Sequence, residues 1–306
     1  MMVHLRYNEI DKQKWDDCVA RSYNTLVYAH SWYLDVVSPQ WEALVDGDYQ
    51  AVMPLTWRKR FGIGYLCQPY FVQKLGVFSP EEVTKPQLEA FVEKAKSLFS
   101  FAEINLNADN VLDDMPQHRN YELSLDADYE QIVSHYHDNT RRNLSRAQKS
   151  NLVVQDLVDI DKVIALFDVD RRQKIQSFET KSYDILRVLA VKALDRGDGF
   201  IRGICDGDGM LLAAAFFVSD GHKLTFLFSG NSAEGKQVQA MTFLIDSVVR
   251  EYSGSGCILD FEGSDDEGLA RFYAGFGSRE IGYGSLRYNN MSWFTNLILS
   301  IWKKWR

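Results

Sequence analysis

The sequence predicts a mixed α/β protein, with α and β elements on a mixed sheet, built as two related halves. Strand-type and helix-type runs alternate along all 306 residues, a length that allows about two domains, each with its own core. The order strand, two helices, three meander strands, helix, strand occurs once in each half, although no residue-level repeat accompanies it. The stretch 256–277, GCILDFEGSDDEGLARFYAGFG, reads as a strand that ends on carboxylates and feeds a helix through a tight turn. Open α/β sheets place ligands beyond such strand ends. The expected division is a first domain over 1–127, a basic helical connector over 128–151, a second domain over 152–290 and an amphipathic helix over 291–306.

In the first half, 3–9 reads as a strand, and Asp11 is placed to cap a helix carrying Trp15, Cys18 and Val19. A short helix covers 31–37. Residues 41–45, 50–57 and 63–72 read as an antiparallel meander, with turns at Asp46, Gly47 and Asp48 and near Phe61 and Gly62. The pattern of Leu88, Phe91, Val92, Ala95 and Leu98 predicts a helix over 80–99 with that stripe buried, followed by strands over 101–107 and 121–125.

From Asp128 the chain turns helical. Asp128 and Gln131 stand at capping-box spacing, and a second helix starts near Asp138 or Asn139 and stops at Asn151. A strand over 152–157 leads to helices over 161–175 and 182–194. Strands over 200–205, 210–219 and 223–229 are separated by the turn pieces DGDG and DGH. A helix over 236–252 turns Met241, Leu244, Ile245 and Val248 inward. After the stretch 256–277, residues 278–283 and 285–289 read as a closing hairpin.

The formal net charge of -8 argues against non-specific nucleic-acid binding as the main role. The first residues, MMVHLRYNEIDKQKW, have no apolar core of signal-peptide length, and no run of about 18 apolar residues occurs, so a cytoplasmic protein is expected. Cys18, Cys67, Cys205 and Cys257 stand singly, which predicts reduced, mostly buried thiols. His135 and His137 are two apart, a spacing that separates them on a helix, and no metal site is expected.

In the strand over 257–259 and its continuation, Asp260 and Glu262 flank Phe261 and are expected to point to one face. Asp265, Asp266 and Glu267 suit the positive end of the helix that follows, and Leu269, Phe272, Tyr273 and Phe276 recur at helical spacing. The same residues are also consistent with a plain strand end and a well-capped helix.

The segments LTFLFSGNSAEGKQVQAMTFLIDSVVREY, ILDFEGS and GLARFYAGFG resemble the C-terminal domain of the tandem GNAT-like proteins that include the FemABX peptidyltransferases and the CelD-like acetyltransferase group. NTRRNLSRAQKSN resembles the basic segment ahead of that domain, and YLCQPYFVQKLGVFS the N-terminal strand and loop that face the family's cleft. The resemblance implies two tandem GNAT-like domains around a central cleft, and transfer of an acyl or aminoacyl group to an amine. It implies Asp260 or Glu262 as the base and Tyr273 as the acid, with the base identity open. It also implies a donor held by backbone N–H groups near Phe228 and Ser229 and by the loop carrying Gly235 and Lys236, with Ser264 close by.

In coenzyme A-dependent GNAT enzymes that loop reads Gln/Arg-x-x-Gly-x-Gly/Ala, its amides wrapping a pyrophosphate. SAEGKQVQA departs from it, with Ser232 at the Gln/Arg position and Gln237 in place of the small residue. The donor expected first is an acyl-CoA thioester acting as co-substrate. The alternative is aminoacyl-tRNA, as the FemABX resemblance implies, and a non-catalytic or membrane-peripheral binding protein on the same fold is a third reading.

Arg141, Arg142 and Arg146, with Lys149, are positioned either to grip a phosphate-bearing substrate or to form a solvated helix face. Gln68, Tyr70 and Gln73 either line the cleft or form a polar edge. Arg171, Arg172 and Lys174 suit a helix C-terminus. The segment MSWFTNLILSIWKKWR is too short to span a bilayer, but it suits docking on its own domain, on a second subunit or at the inner membrane face.

Overall fold

The computed structural model describes residues 1–60, 62–171, 180–263 and 265–291. The chain forms two compact units: Met1–Gln117 together with the chain from Tyr283, and His118–Gly282. The expected C-terminal helix, Arg172, Lys174 and the end of the helix drawn over 161–175 lie outside the described residues.

The first unit contains β1 (Met2–Leu5), α1 (Lys12–Arg21), α2 (Ser31–Val37), β2 (Glu42–Asp46), β3 (Ala51–Leu55), β4 (Trp57–Arg60), β5 (Ile63–Cys67), α3 (Lys85–Leu98) and β6 (Phe101–Asn105). Asp11 caps α1 as expected, its carboxylate accepting from the N–H groups of Gln13 and Lys14. The strand drawn over 3–9 stops at Leu5, and a single 3-10 turn follows. The expected meander divides. β1, β2 and β3 form one antiparallel sheet, whereas β4 and β5 pair with each other in another, where β5 runs parallel to β6. Thr56 is the break, its hydroxyl donating to the Cys67 carbonyl while its own carbonyl accepts the Cys67 N–H. α3 begins at Lys85, with Thr84 as its cap and Pro86 in its first turn, where a missing N–H does no harm. Leu88, Phe91, Val92 and Ala95 enter the core with Leu44, Met53 and Ile104. Leu98, expected on that stripe, is exposed in the last turn.

The second unit contains β7 (Gln117–Ser124), α4 (Tyr129–Ser134), α5 (Asp138–Gln148), β8 (Val153–Leu157), α6 (Ile160–Arg171), α7 (Thr180–Arg196), β9 (Gly199–Cys205), β10 (Leu211–Ser219), β11 (Lys223–Asn231), α8 (Ala233–Gln237), α9 (Ala240–Tyr252), β12 (Ile258–Asp260) and α10 (Glu267–Ala274). The strand order is β7-β12-β11-β10-β9-β8, antiparallel except between β11 and β12. β10 and β11 are apolar on both faces, the pattern of strands covered on both sides. α6 packs on β10 and β11, and α9 on β9 and β10. The single helix expected over 236–252 is two, because Gln239 takes a left-handed conformation (φ 63°) between α8 and α9.

The last strand, β13 (Arg279–Asn289), replaces the expected closing hairpin. Its residues 285–289 pair antiparallel with β6, and the Gly284 carbonyl accepts the Leu106 N–H, so the chain runs straight through the expected turn.

Candidate functional site

The site is built around β11 and β12. These parallel strands pair at only three positions, Lys223–Ile258, Leu224–Leu259 and Thr225–Asp260. β12 then ends, so from Phe226 onward β11 has no strand neighbour on that side among the described residues. On its other side β11 pairs with β10 through a bulge: Phe216 faces Phe228 and Phe217 faces Phe226, which leaves Leu227 as the extra residue. α6 is pressed against the strand at Gly230, where an added Cβ would meet the Phe167 nitrogen at 2.4 Å and the Leu166 Cβ at 2.6 Å. That contact places the Phe167 ring 4.7 Å from the Phe228 ring.

A cavity of about 500 Å³ opens where the strands part. Its walls include Phe167, the bulge residues, the α9 start at Met241 and Thr242, and α10 at Leu269, Phe272 and Tyr273. Glu262 and Lys236 bring opposite charges to it, and Asn231 and Gln239 are further polar members. Asn231 Oδ1 is buried without a hydrogen-bond partner.

Beyond β12 the backbone turns sharply. Glu262 and Gly263 are both left-handed, with φ of 56° and 50°. A non-glycine residue in that region costs about 1 kcal/mol or more and is found where a site needs a re-aimed side chain. The expectation that Asp260 and Glu262 share one strand face therefore fails. Glu262 lines the cavity, whereas Asp260 is buried at 1% exposure, does not line it, and accepts the Glu262 N–H at 2.8 Å. Gly263 lies tight on β7: an added Cβ would sit 2.2 Å from the Arg119 carbonyl oxygen. Asp265 fastens the far side of the turn, accepting from the Arg119 N–H and bonding the His118 ring, which holds the Asp265 carboxyl below its usual range. Asp266 caps α10 through the N–H groups of Gly268 and Leu269, as the acidic cluster suggested.

Of the other residues singled out from sequence, Tyr273, Phe228, Ser229 and Lys236 line the cavity. Gly235 lies behind it, packed where a side chain would collide with Asn231 and the Leu212 carbonyl. Arg141, Arg142 and Arg146 are exposed on α5 and are not among its lining residues; Arg141 pairs with Asp138 at 2.6 Å. Gln68, Tyr70 and Gln73 belong to the first unit. Gln68 commits both ends of its amide to the backbone, at Asn105 and Val72, and the Arg58 guanidinium lies 5.3 Å from the Tyr70 ring. Ser264 lies outside the described residues. Phe167, Asn231 and Gln239 were not anticipated. Phe167 reads as ordinary core, and the run QVQA carries no glycine or proline to betray a break.

The loop SAEGKQVQA is helical rather than open. Ser232 Oγ accepts the Gly235 N–H, and the amides of Lys236 and Val238 are bonded within the segment. α9, by contrast, starts with no side-chain cap. Among the described residues no group of three His, Cys, Asp or Glu is arranged to hold a metal ion, and no helix is long and apolar enough to cross a membrane.

No family model and no curated protein matches the chain. Solved structures do. The crystal structure of FemX is similar over 94% of this chain and 98% of its own, with a TM-score of 0.68 at 13% identity. The C-terminal domain of a putative lysylphosphatidylglycerol synthetase from Agrobacterium fabrum matches over 95% of each chain, with a TM-score of 0.59 at 14% identity. A tandem GNAT protein from the clavulanic acid biosynthesis pathway matches over 95% of this chain and 100% of its own, with a TM-score of 0.53 at 12% identity. The fold is thus the tandem GNAT-like α/β fold of the FemX type.

Proposed function

We propose that the second unit transfers an acyl group from a thioester donor to an amine acceptor, with Glu262 as general base and Tyr273 as general acid. The observation that carries this reading is the left-handed turn that brings Glu262 to the cavity also lined by the β11 residues beyond its last pair with β12. The amine nitrogen attacks the carbonyl carbon, forming the N–C bond as the C–S bond breaks. Glu262 takes the amine proton, and the Tyr273 hydroxyl protonates the departing sulfur. Main-chain groups beyond Thr225 are suited to an amide-bearing donor arm, and Lys236 with the uncapped start of α9 to its anionic end.

The helical form of SAEGKQVQA supports a second reading. The amides of Gly235, Lys236, Val238 and Gln239 are bonded within it and that of Ser232 to Leu212, a pattern that leaves fewer amides for a pyrophosphate than an open loop would and favours an aminoacyl ester such as aminoacyl-tRNA as donor. The FemX and lysylphosphatidylglycerol synthetase likenesses point the same way.

Thermal stability of the purified chain against acetyl-CoA, longer acyl-CoAs and aminoacyl-tRNA separates the two. A saturable rise with a CoA thioester supports the first, and a salt-sensitive rise with aminoacyl-tRNA alone supports the second. Glu262→Gln should then lower transfer with the active donor by about a hundredfold. Unchanged turnover would remove Glu262 from the mechanism.

A further inference from the structure

A buried charge cluster stands behind Glu262. In the pairing of β12 with β7, Asp260 is directly opposite Glu122, and in the pairing of β12 with β11 it is directly opposite Thr225. Directly opposed residues share a sheet face, and so do residues two apart on one strand. Lys223, two before Thr225, therefore shares a face with both carboxylates. Its Nζ lies 2.6 Å from Glu122 Oε1, and the two side chains are 22% and 14% exposed. Asp260 is more deeply buried than either.

Two carboxylates side by side on adjacent strands repel, and a buried charge without a counter-ion is strongly destabilising. Lys223 supplies the counter-charge. Burial by itself pulls the Lys223 ammonium down, but Asp260 and Glu122 outweigh it and its pKa is raised. Asp260 is in turn the acceptor that fixes the Glu262 N–H in the left-handed turn. A carboxylate holds an N–H more strongly than a neutral acceptor does.

We infer that Lys223 and Asp260 are positioning residues: Lys223 offsets the repulsion between Glu122 and Asp260, and Asp260 holds the turn that presents Glu262 to the cavity. The inference rests on the reading of Glu262 as the base, but its main test needs no substrate.

Amide hydrogen exchange at Glu262, read by NMR in the free protein with Leu244 in α9 as reference, follows the Asp260 bond directly. Lys223→Met should speed exchange at Glu262 by about tenfold and leave Leu244 unchanged. Lys223→Arg should restore the native rate. Asp260→Asn keeps an acceptor without the charge, so adding Lys223→Met to it should change nothing further at Glu262. With the active donor and acceptor, Lys223→Met should lower kcat and leave KM unchanged.

Equal acceleration at Glu262 and Leu244, or none at Glu262, overturns the inference. Should Lys223→Met fail to fold, Glu122→Gln replaces it. That change removes Glu122 as a competitor for Lys223, so exchange at Glu262 should slow, and an unaltered rate would be decisive against the proposal. If Glu262→Gln keeps full transfer activity while Lys223→Met still frees the Glu262 amide selectively, the base assignment falls and the positioning stands.

Discussion

The rings of Phe261 and Tyr273 lie 4.8 Å apart and 19° from parallel, so the residue between Asp260 and Glu262 also sets the place of the tyrosine on α10. One short segment thereby positions the proposed base through its backbone and the proposed acid through its side chain. Tyr273→Phe keeps the stack and removes the hydroxyl. It should cost no more than about 1 kcal/mol in urea unfolding, yet lower transfer by about a hundredfold. Phe261→Ala removes a fully buried ring and should cost about 3–5 kcal/mol.

Gly263 cannot accept a side chain. Its φ of 50° is in the left-handed region, and a Cβ would meet Arg119 and Asn120 backbone atoms at 2.2 and 2.3 Å. Gly263→Ala should lower stability by about 1–3 kcal/mol and disturb Glu262 with it. Thermal unfolding and exchange at the Glu262 amide would both report the change.

Gly230 is constrained by contact alone. Gly230→Ala must push α6 off β11, because Phe167 and Leu166 occupy the space. A loss of about 1–3 kcal/mol is expected, together with weaker donor binding as the Phe167 ring leaves Phe228. Calorimetric titration with whichever donor raises stability would test the second half.

Alkaline unfolding should expose a different group. The Tyr129 hydroxyl donates to Asp246, and burial, then the Asp246 charge, pushes its pKa up to about 12. Its proton is held more tightly in the folded than in the unfolded chain, so the stability it contributes is complete below pH 10 and is lost as pH rises toward about 12. Tyr136, whose hydroxyl also donates to Asp246, is shifted in the same direction. The drop in urea midpoint between pH 10 and 12 should be shallower in Tyr129→Phe than in the native chain.

Much of the site was legible because its signals are local. Asp266 as a cap, the glycine after Glu262 and the apolar spacing on α10 each act within a few residues, and each is where the sequence placed it. What escaped depends on distant partners. Alternation along a strand put Glu262 beside Asp260, but the crowding of Gly263 on β7 and the Asp260 bond to the Glu262 amide turn the chain instead. The Leu227 bulge is set by the register with β10, and the straight run through Gly284 by pairing with β6. The division of the expected meander at Thr56 likewise follows from its bonds to Cys67, which no propensity near Thr56 foretells.

The parting of β11 from β12 after three pairs leaves the main chain of residues 226–229 without a strand partner on that side among the described residues, the edge proposed above for an amide-bearing donor arm. Every residue type offers the same N–H and C=O there, proline excepted. Such an edge presents the same peptide groups whatever the side chain at each position, while the side chains of Phe226, Leu227 and Phe228 are buried. On the proposed reading, the tandem GNAT-like fold is kept at 12–14% identity to its structural neighbours while that main-chain edge is kept with it.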